Sequence, residues 1–549
     1  MKDCSSIFSA TMLFTFLTLA LMSLICDTEA HYHSGSLDDY LSVTGQSSKC
    51  TSLYWYPDQE TFEYSGVEPP PLEIEPLIIS GPSSNRVDLV FFSDGYLLKE
   101  REKFIVDALR LAEDVSKNQT FNTVQPILNF WAAFTPSQEV GARMKGSLRV
   151  FTVLLRAVTT YGLYRPGTEL RGVYYAKPEV AGAACSSMGN QCDFPILLGK
   201  EQTFPCLGGK YTVITSSIVN GPSILRHELG HSIIPVGEEY DGGEVYRGVD
   251  AYHDLSEPVP WAHWLTNPPE DGQSPRVERS VMPLQDYAWS MLNTSKPWTT
   301  EFVSSGTFSR HLVRFSLSGL LESSDLAVEL DGVDLGWVPK EGLGVDRWHY
   351  DVYRDDALAG GTHEVKFTLL NADREGMAQL CNVEILEFGD ENEFIATPNY
   401  YGVFPTYSVA NKTSYRPTNE DCLMRLVTTS NFCKVCLEGL WHALLSKVSL
   451  IDGVSEGCSG KSKTLSVELI PLAQFRQVPI EPTESYTITW SRDGEVIEEF
   501  TNKTTLIVDE NGGATYTVTA KYVTTEVMVD KEGHLVDSME YTVTGACEQ

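Results

Sequence analysis

From Asn85 onward the chain sets out blocks of apolar positions whose spacing predicts its elements. VDLVFF (Val87 to Phe92) is an unbroken apolar run of strand length, and SDGY turns it. KEREKFIVDALRLAEDV then returns apolar residues at Phe104, Ala108, Leu111, Ala112 and Val115, the repeat of an amphipathic helix. A strand feeding such a helix predicts an α/β layer. LNFWAAF (Leu128 to Phe134) and YTVITSSI (Tyr211 to Ile218) read as further strands, the second running straight into a helix. Asn220 or Gly221 can cap that helix and Pro222 suits its first turn, while Pro235 and Gly237 end it after roughly three to four turns.

The texture changes near Phe308. Through Phe388 the segments HLVRFSLSGL, LAVELDG, WHYDVY and HEVKFTLL alternate apolar and polar residues between DG and GG turn signals, predicting an inserted β-sandwich. Helical spacing returns in NFCKVCLEGLWHALLSKV, and TLSVELIPL, YTITW, TTLIVDENGG and TYTVTAKYV then predict a second sandwich, of immunoglobulin type. The expected fold class is therefore α+β, an α/β-type catalytic domain with an inserted β-sandwich and a C-terminal immunoglobulin-like β-sandwich. The expected division is a leader at 1–30, an N-terminal segment at 31–80 and a first catalytic part at 81–300. The inserted sandwich follows at 301–395, a second catalytic part at 396–450 and the terminal sandwich at 451–549. The Pro-rich PPPLEIEPL stretch before residue 80 resembles a linker or an edge strand.

Composition narrows the setting. With 42% apolar and 21% charged residues among 549, the chain belongs with packed multidomain proteins, not with disordered ones. The apolar run from Ala10 to Cys26, followed by Thr28-Glu29-Ala30, predicts a cleaved secretory signal rather than a membrane anchor, because it is short for a span and lacks basic flanks. Of the 12 cysteines, Cys4 and Cys26 leave with that signal, and the even remainder suits disulfides in an oxidising compartment. Sequons at Asn118, Asn293, Asn411 and Asn502 agree with a secreted glycoprotein. A net charge of −33, spread without long acidic runs, repels phosphate and so argues against nucleic acid and anionic membranes as partners.

The candidate chemistry lies in HELGH. Residues four apart share a helix face, so His227 and His231 can offer two imidazoles to one metal ion while Glu228 projects toward its open side. A catalytic zinc needs three protein ligands and one open position. Glu238 is the first choice for the third ligand and Glu239 the second, both just past the helix break, with His253 and His263 as more distant alternatives. The plain reading, two ordinary histidines on a partly buried helix, carries less weight in this context of strand, capped helix and acidic turn.

Three separated segments resemble the IgA-endopeptidase-type zinc metallopeptidases, a family of secreted enzymes. VDLVFFSDGYLLKEREKF resembles the family's opening strand and helix, HELGHSIIPVGEEY its HExGH helix with the acidic-acidic-Tyr group, and YRPTNEDCLMR its later Met-containing turn. The resemblance implies a metzincin-like catalytic domain holding one Zn2+ ion, with His227 and His231 as ligands, Glu228 as general base and Met424 as the apolar floor below the ion. Glu238 falls where bacterial members usually carry Asp, one methylene shorter, so the choice between Glu238 and Glu239 stays open; Glu239 and Tyr240 match directly. The implied reaction is hydrolysis of peptide bonds in extracellular proteins by metal-activated water. Tyr240 is a candidate oxyanion donor, against the commoner role of a packing residue.

Other features rank lower. Cys433 and Cys436 have redox-motif spacing, but in an exported chain a structural disulfide is the expected fate, with Cys422 or Cys381 as partners. His31-Tyr32-His33 offers a copper-chelating terminus against the commoner reading of an ordinary one, Cys50 a cap on the zinc before activation against the more expected disulfide, and WAHWL (Trp261 to Leu265) a cleft lining or core. The sandwiches could contact carbohydrate or matrix. The competing function is a secreted binding protein in which the HELGH region is a structural or vestigial zinc site, and an intact Glu228 weighs against it, because a structural site has no use for a base.

Overall fold

Every residue of Val87–Asp94 is buried, as a central strand covered on both faces requires. This strand organises a five-stranded sheet in a computed structural model that describes residues 66–117, 120–139, 143–145, 159–166, 172–201, 210–243, 246–270, 272–459, 462–480, 483–508, 513–544 and 547. The leader expected at 1–30, Cys50, His31-Tyr32-His33 and the sequon Asn118 lie outside the described residues.

Numbered along the chain, the sheet's strands are β1 (Glu73–Ile78), β2 (Val87–Asp94), β3 (Leu128–Phe134), β4 (Phe194–Gly199) and β5 (Thr212–Thr215). Their order is β1-β3-β2-β4-β5. β2 to β5 run parallel, and β1 is antiparallel to β3 at the edge. The Pro-rich stretch thus ends in an edge strand, where Pro76 does not interrupt a central ladder. The described helices are α1 (Arg101–Lys117), α2 (Pro178–Ser187), α3 (Gly221–Ile233) and α4 (Lys434–Leu445). α1 buries Phe104, Ala108, Leu111, Ala112 and Val115, the positions its apolar repeat picked out. α3, which carries the HELGH segment, follows β5 and packs against it.

Asn220 sits at the N-terminal boundary of α3 but makes no side-chain cap. Its amide instead donates to Asp346 Oδ2 at 2.7 Å and to the Arg347 carbonyl at 3.1 Å. The residue expected to cap the helix fastens it to the inserted sheets, a long-range use that local rules do not foresee.

Those sheets comprise a five-stranded layer built around Arg310–Ser318 and Gln379–Phe388 and a four-stranded layer built around Leu326–Leu330 and Gly361–Leu369. Val313, Phe315, Val365, Phe367 and Val383 fill the space between. Strands before residue 301 also join: Ser280–Asp286 and Ser290–Met291 both pair with Gln379–Phe388. All ten residues of Gln379–Phe388 are buried, so this strand is covered on both faces.

The C-terminal sheets, three-stranded and four-stranded, share a core with the first sheet's layer. α4 lies at the junction: Trp441 packs on Tyr522 at 5.4 Å between ring centroids, and its indole donates to Glu526 Oε2 at 2.6 Å. Arg86 and Asp452 add an ion pair at 2.6 Å. Disulfides join Cys185 to Cys192 and Cys458 to Cys547. The structural disulfide expected of Cys433 and Cys436 is not formed: Cys422 and Cys436 keep their sulfurs 3.7 Å apart, well beyond the roughly 2.05 Å of an S–S bond, and Cys433 stays unbridged beside them. Cys381 sits elsewhere, in the strand Gln379–Phe388.

Candidate active site

One helical turn separates His227 from His231 on α3, and their rings meet nearly perpendicular, with the two Nε2 atoms 3.2 Å apart. Each ring is held by its other nitrogen. His227 Nδ1–H donates to the Leu423 carbonyl at 3.0 Å, and His231 Nδ1–H points to the Val236 carbonyl at 3.4 Å. Fixing Nδ1 as the donor leaves both Nε2 lone pairs facing the same point, as metal-ligating imidazoles require.

The chain then doubles back. Pro235 ends α3, and Gly237 N–H donates to Asp250 Oδ1 at 3.1 Å, which anchors the return. The carboxylate of Glu238 arrives 3.2 Å from His231 Nε2 and 3.5 Å from His227 Nε2. His227, His231 and Glu238 thus bring one donor atom each to within 4.8 Å of one another, all on side chains almost wholly buried. Two nitrogens sharing a tetrahedral ion at about 2.05 Å would stand roughly 3.3 Å apart, close to what is found here. Glu238 Oε2 is a buried oxygen without a hydrogen-bond partner, and that is costly unless a cation faces it. The donor set and its spacing therefore fit a divalent metal.

Burial pushes the Glu238 carboxyl up, but the two imidazoles outweigh it and hold it near 2. Burial pushes His227 down, and the Glu238 and Glu228 carboxylates reverse this to about 9. Glu228 is raised, by burial first, against the pull of the two histidines.

Met424 lies under this arrangement. A Cβ at Gly230 would stand 3.0 Å from Met424 Sδ and 2.9 Å from Phe432 Cζ, so the helix is seated directly on these side chains and position 230 has no room for more. Glu239 N–H donates to the Met424 carbonyl at 3.1 Å, binding the Met turn to the acidic loop. Glu239 itself turns away from the histidines, toward Cys422 and Cys436.

Beside this cluster a cleft opens, lined by His227, Glu228 and Tyr240 on one side and by Tyr287, Trp289, Arg347 and Glu384 on the other. The second wall belongs to the inserted sheets and the strands leading into them. Arg347 stacks over Trp289 at 4.9 Å, and Glu384 accepts from Tyr287 and Asn382 at 3.1 Å each. Sequence reasoning missed this wall, since its residues lie far from HELGH along the chain. The available hint was a charged residue, Glu384, set directly between the apolar Val383 and Ile385.

The remaining candidates fall outside the cluster. His253 is exposed, donating to the Tyr246 carbonyl at 2.7 Å, and His263 pairs with Glu438 at 2.6 Å. Trp261 and Trp264 are core residues whose indoles donate to the Gly402 carbonyl and to Glu438. The sequons Asn293, Asn411 and Asn502 are exposed.

Among curated proteins nothing matches. A solved cycloisomaltooligosaccharide glucanotransferase of Paenibacillus sp. aligns at 11% identity over 68% of this chain with a TM-score of 0.14, too low to carry any argument; the alignment spans 57% of that enzyme's length. The family model described as IgA Peptidase M64 matches residues 75–271, which include most of β1, all of β2 to β5, α3 and the clustered His227, His231 and Glu238. That match makes residues 75–271 similar to the IgA-endopeptidase-type metallopeptidases and supports that family for this part of the chain.

Proposed function

We propose that this chain is a secreted, zinc-dependent endopeptidase whose metal is held by His227, His231 and Glu238 and whose general base is Glu228. The observation that carries the reading is the convergence of two Nε2 atoms and one carboxylate at 3.2 to 3.5 Å, beside a cleft that Glu228 also lines. A bound zinc ion would polarise the scissile carbonyl and acidify water. Glu228, buried and raised in pKa, is suited to accept the proton of the attacking water and return it to the leaving amine. Tyr240, on the same wall, is the group to donate a hydrogen bond to the developing oxyanion. A polypeptide substrate would lie between α3 and the inserted sheets, where Tyr287 and Trp289 offer apolar area for its side chains. Export is supported by the leader-like N-terminus and by the two disulfides, which persist in oxidising compartments. Among the described residues no helix is long and apolar enough to cross a membrane.

The test is Glu228→Ala in the full chain. Bound zinc, measured by elemental analysis, should persist while cleavage of a casein-like substrate disappears. Equal activity in the variant would end the peptidase reading in favour of a structural site.

A further inference from the structure

A second group of donor atoms lies one residue along the chain from the first. We propose that Glu239, Cys422, Cys433 and Cys436 form a structural site for a thiophilic divalent metal ion, of which zinc is the natural occupant. The four side chains place one donor atom each within 4.8 Å of one another, and none of the four residues exposes more than 2% of its surface.

The distances match shared coordination. Two thiolates on a tetrahedral ion with bonds of about 2.3 Å stand roughly 3.8 Å apart, and Cys422 and Cys436 are separated by 3.7 Å. A thiolate and a carboxylate oxygen on the same ion, with bonds of about 2.3 and 2.0 Å, stand about 3.5 Å apart, and Cys436 Sγ lies 3.5 Å from Glu239 Oε1. A disulfide would join only two of the three sulfurs, leaving a third thiol and a buried glutamate without a role. Glu239 Oε2 is a second and independent sign: it is sealed from solvent and has no hydrogen-bond partner, a costly arrangement for a carboxylate unless a cation compensates it. Three sulfurs and one oxygen select a soft, tetrahedral metal over magnesium or calcium.

The local chain is built to hold such ligands. Cys433 and Cys436 bracket the first turn of α4, and Cys433 N–H points to Cys422 Sγ at 3.4 Å, an amide-to-sulfur contact that favours the thiolate form. Arg425 donates to the Glu239 carbonyl at 3.0 Å, placing positive charge beside an anionic ligand set. Unlike the first site, this one offers four protein donors and does not line the cleft, as a closed structural site should. An ion here ties three segments together: the loop after α3, the Met turn and the start of α4. Holding Glu239 against the sulfurs fixes the loop that brings Glu238 to the histidines.

The experiment is reconstitution of the full-length, metal-stripped protein with Zn2+ and separately with Co2+. Two equivalents of zinc per chain are expected, and the cobalt form should show the intense near-ultraviolet charge-transfer band of thiolate ligation. His227→Ala should lose one equivalent and keep that band, while Cys422→Ser/Cys436→Ser should lose the band and keep the other equivalent. The wild-type spectrum decides the matter even where the cysteine variant fails to fold. Absence of the band together with a disulfide among these three cysteines in non-reducing peptide maps would overturn the proposal. The histidine arm separates this outcome from failure of the peptidase reading, because a cleft without hydrolytic activity leaves the thiolate band in place.

Discussion

Glu238 and Glu239 are consecutive, both at most 2% exposed, and each has one carboxylate oxygen without a hydrogen-bond partner. Their surroundings differ, and that difference separates their proposed roles. Glu238 meets two imidazoles beside a cleft that also holds Glu228, so its three-donor group leaves a position for water and substrate. Glu239 meets three sulfurs inside packed protein, so its four-donor group is complete. In the proposed roles the same side chain would serve chemistry where the coordination sphere is open and architecture where it is closed. What separates the two is the number and softness of the partners, not the glutamate.

The largest effect expected from breaking this contrast is at Glu238. Glu238→Gln should lower peptide hydrolysis by about 10³-fold or more and empty the histidine site, whereas Glu239→Gln should chiefly lower thermal stability and remove the thiolate-bound equivalent. Activity and metal content measured side by side on the two variants test this, and equal losses in both would erase the distinction. Gly230→Ala is next. Its Cβ would press on Met424 and Phe432 at 2.9 to 3.0 Å, and the variant should lose about 1 to 3 kcal/mol in denaturant unfolding.

Glu384, on the sandwich wall of the cleft, sharpens the comparison through pH. Burial, helped by Asp241, raises its carboxyl from 4.5 to about 7. A raised folded-state value means the proton is held more tightly when folded, so its contribution to stability is full below about pH 4.5 and lost as pH rises through 7. Glu384→Gln should flatten that decline and exceed wild type at pH 8 by about 2 kcal/mol, read as melting temperature against pH; parallel curves would contradict the assignment. The smallest expected effect is Tyr240→Phe, which should reduce kcat about tenfold with KM little changed if the hydroxyl acts only on the developing charge.

Much of this was legible in the chain. The apolar repeat of Arg101–Lys117 named the buried face residue by residue, the HELGH spacing put two histidines on one side of a helix, and alternation in Leu326–Leu330 and Gly361–Leu369 announced sheets. These are periodic signals, carried by neighbours within a turn or a strand. Asn220 holds the N-cap position without a side-chain cap because its amide bonds a partner 126 residues away, and the spacing of Cys433 and Cys436 predicts a disulfide because it does not show that a third sulfur and a glutamate lie against them.

The sequence alone determined that helix, strand and acidic loop would occur, and that two imidazoles would share a face, since periodicity and turn chemistry act over a few residues. Only the tertiary structure decided which of two adjacent glutamates joins the histidines, that the inserted sheets supply the far wall of the cleft, and that Cys422 meets Cys436. Side-chain direction in a non-repetitive loop depends on what the rest of the chain packs against it, and that information is distributed over hundreds of residues rather than written at positions 238 and 239.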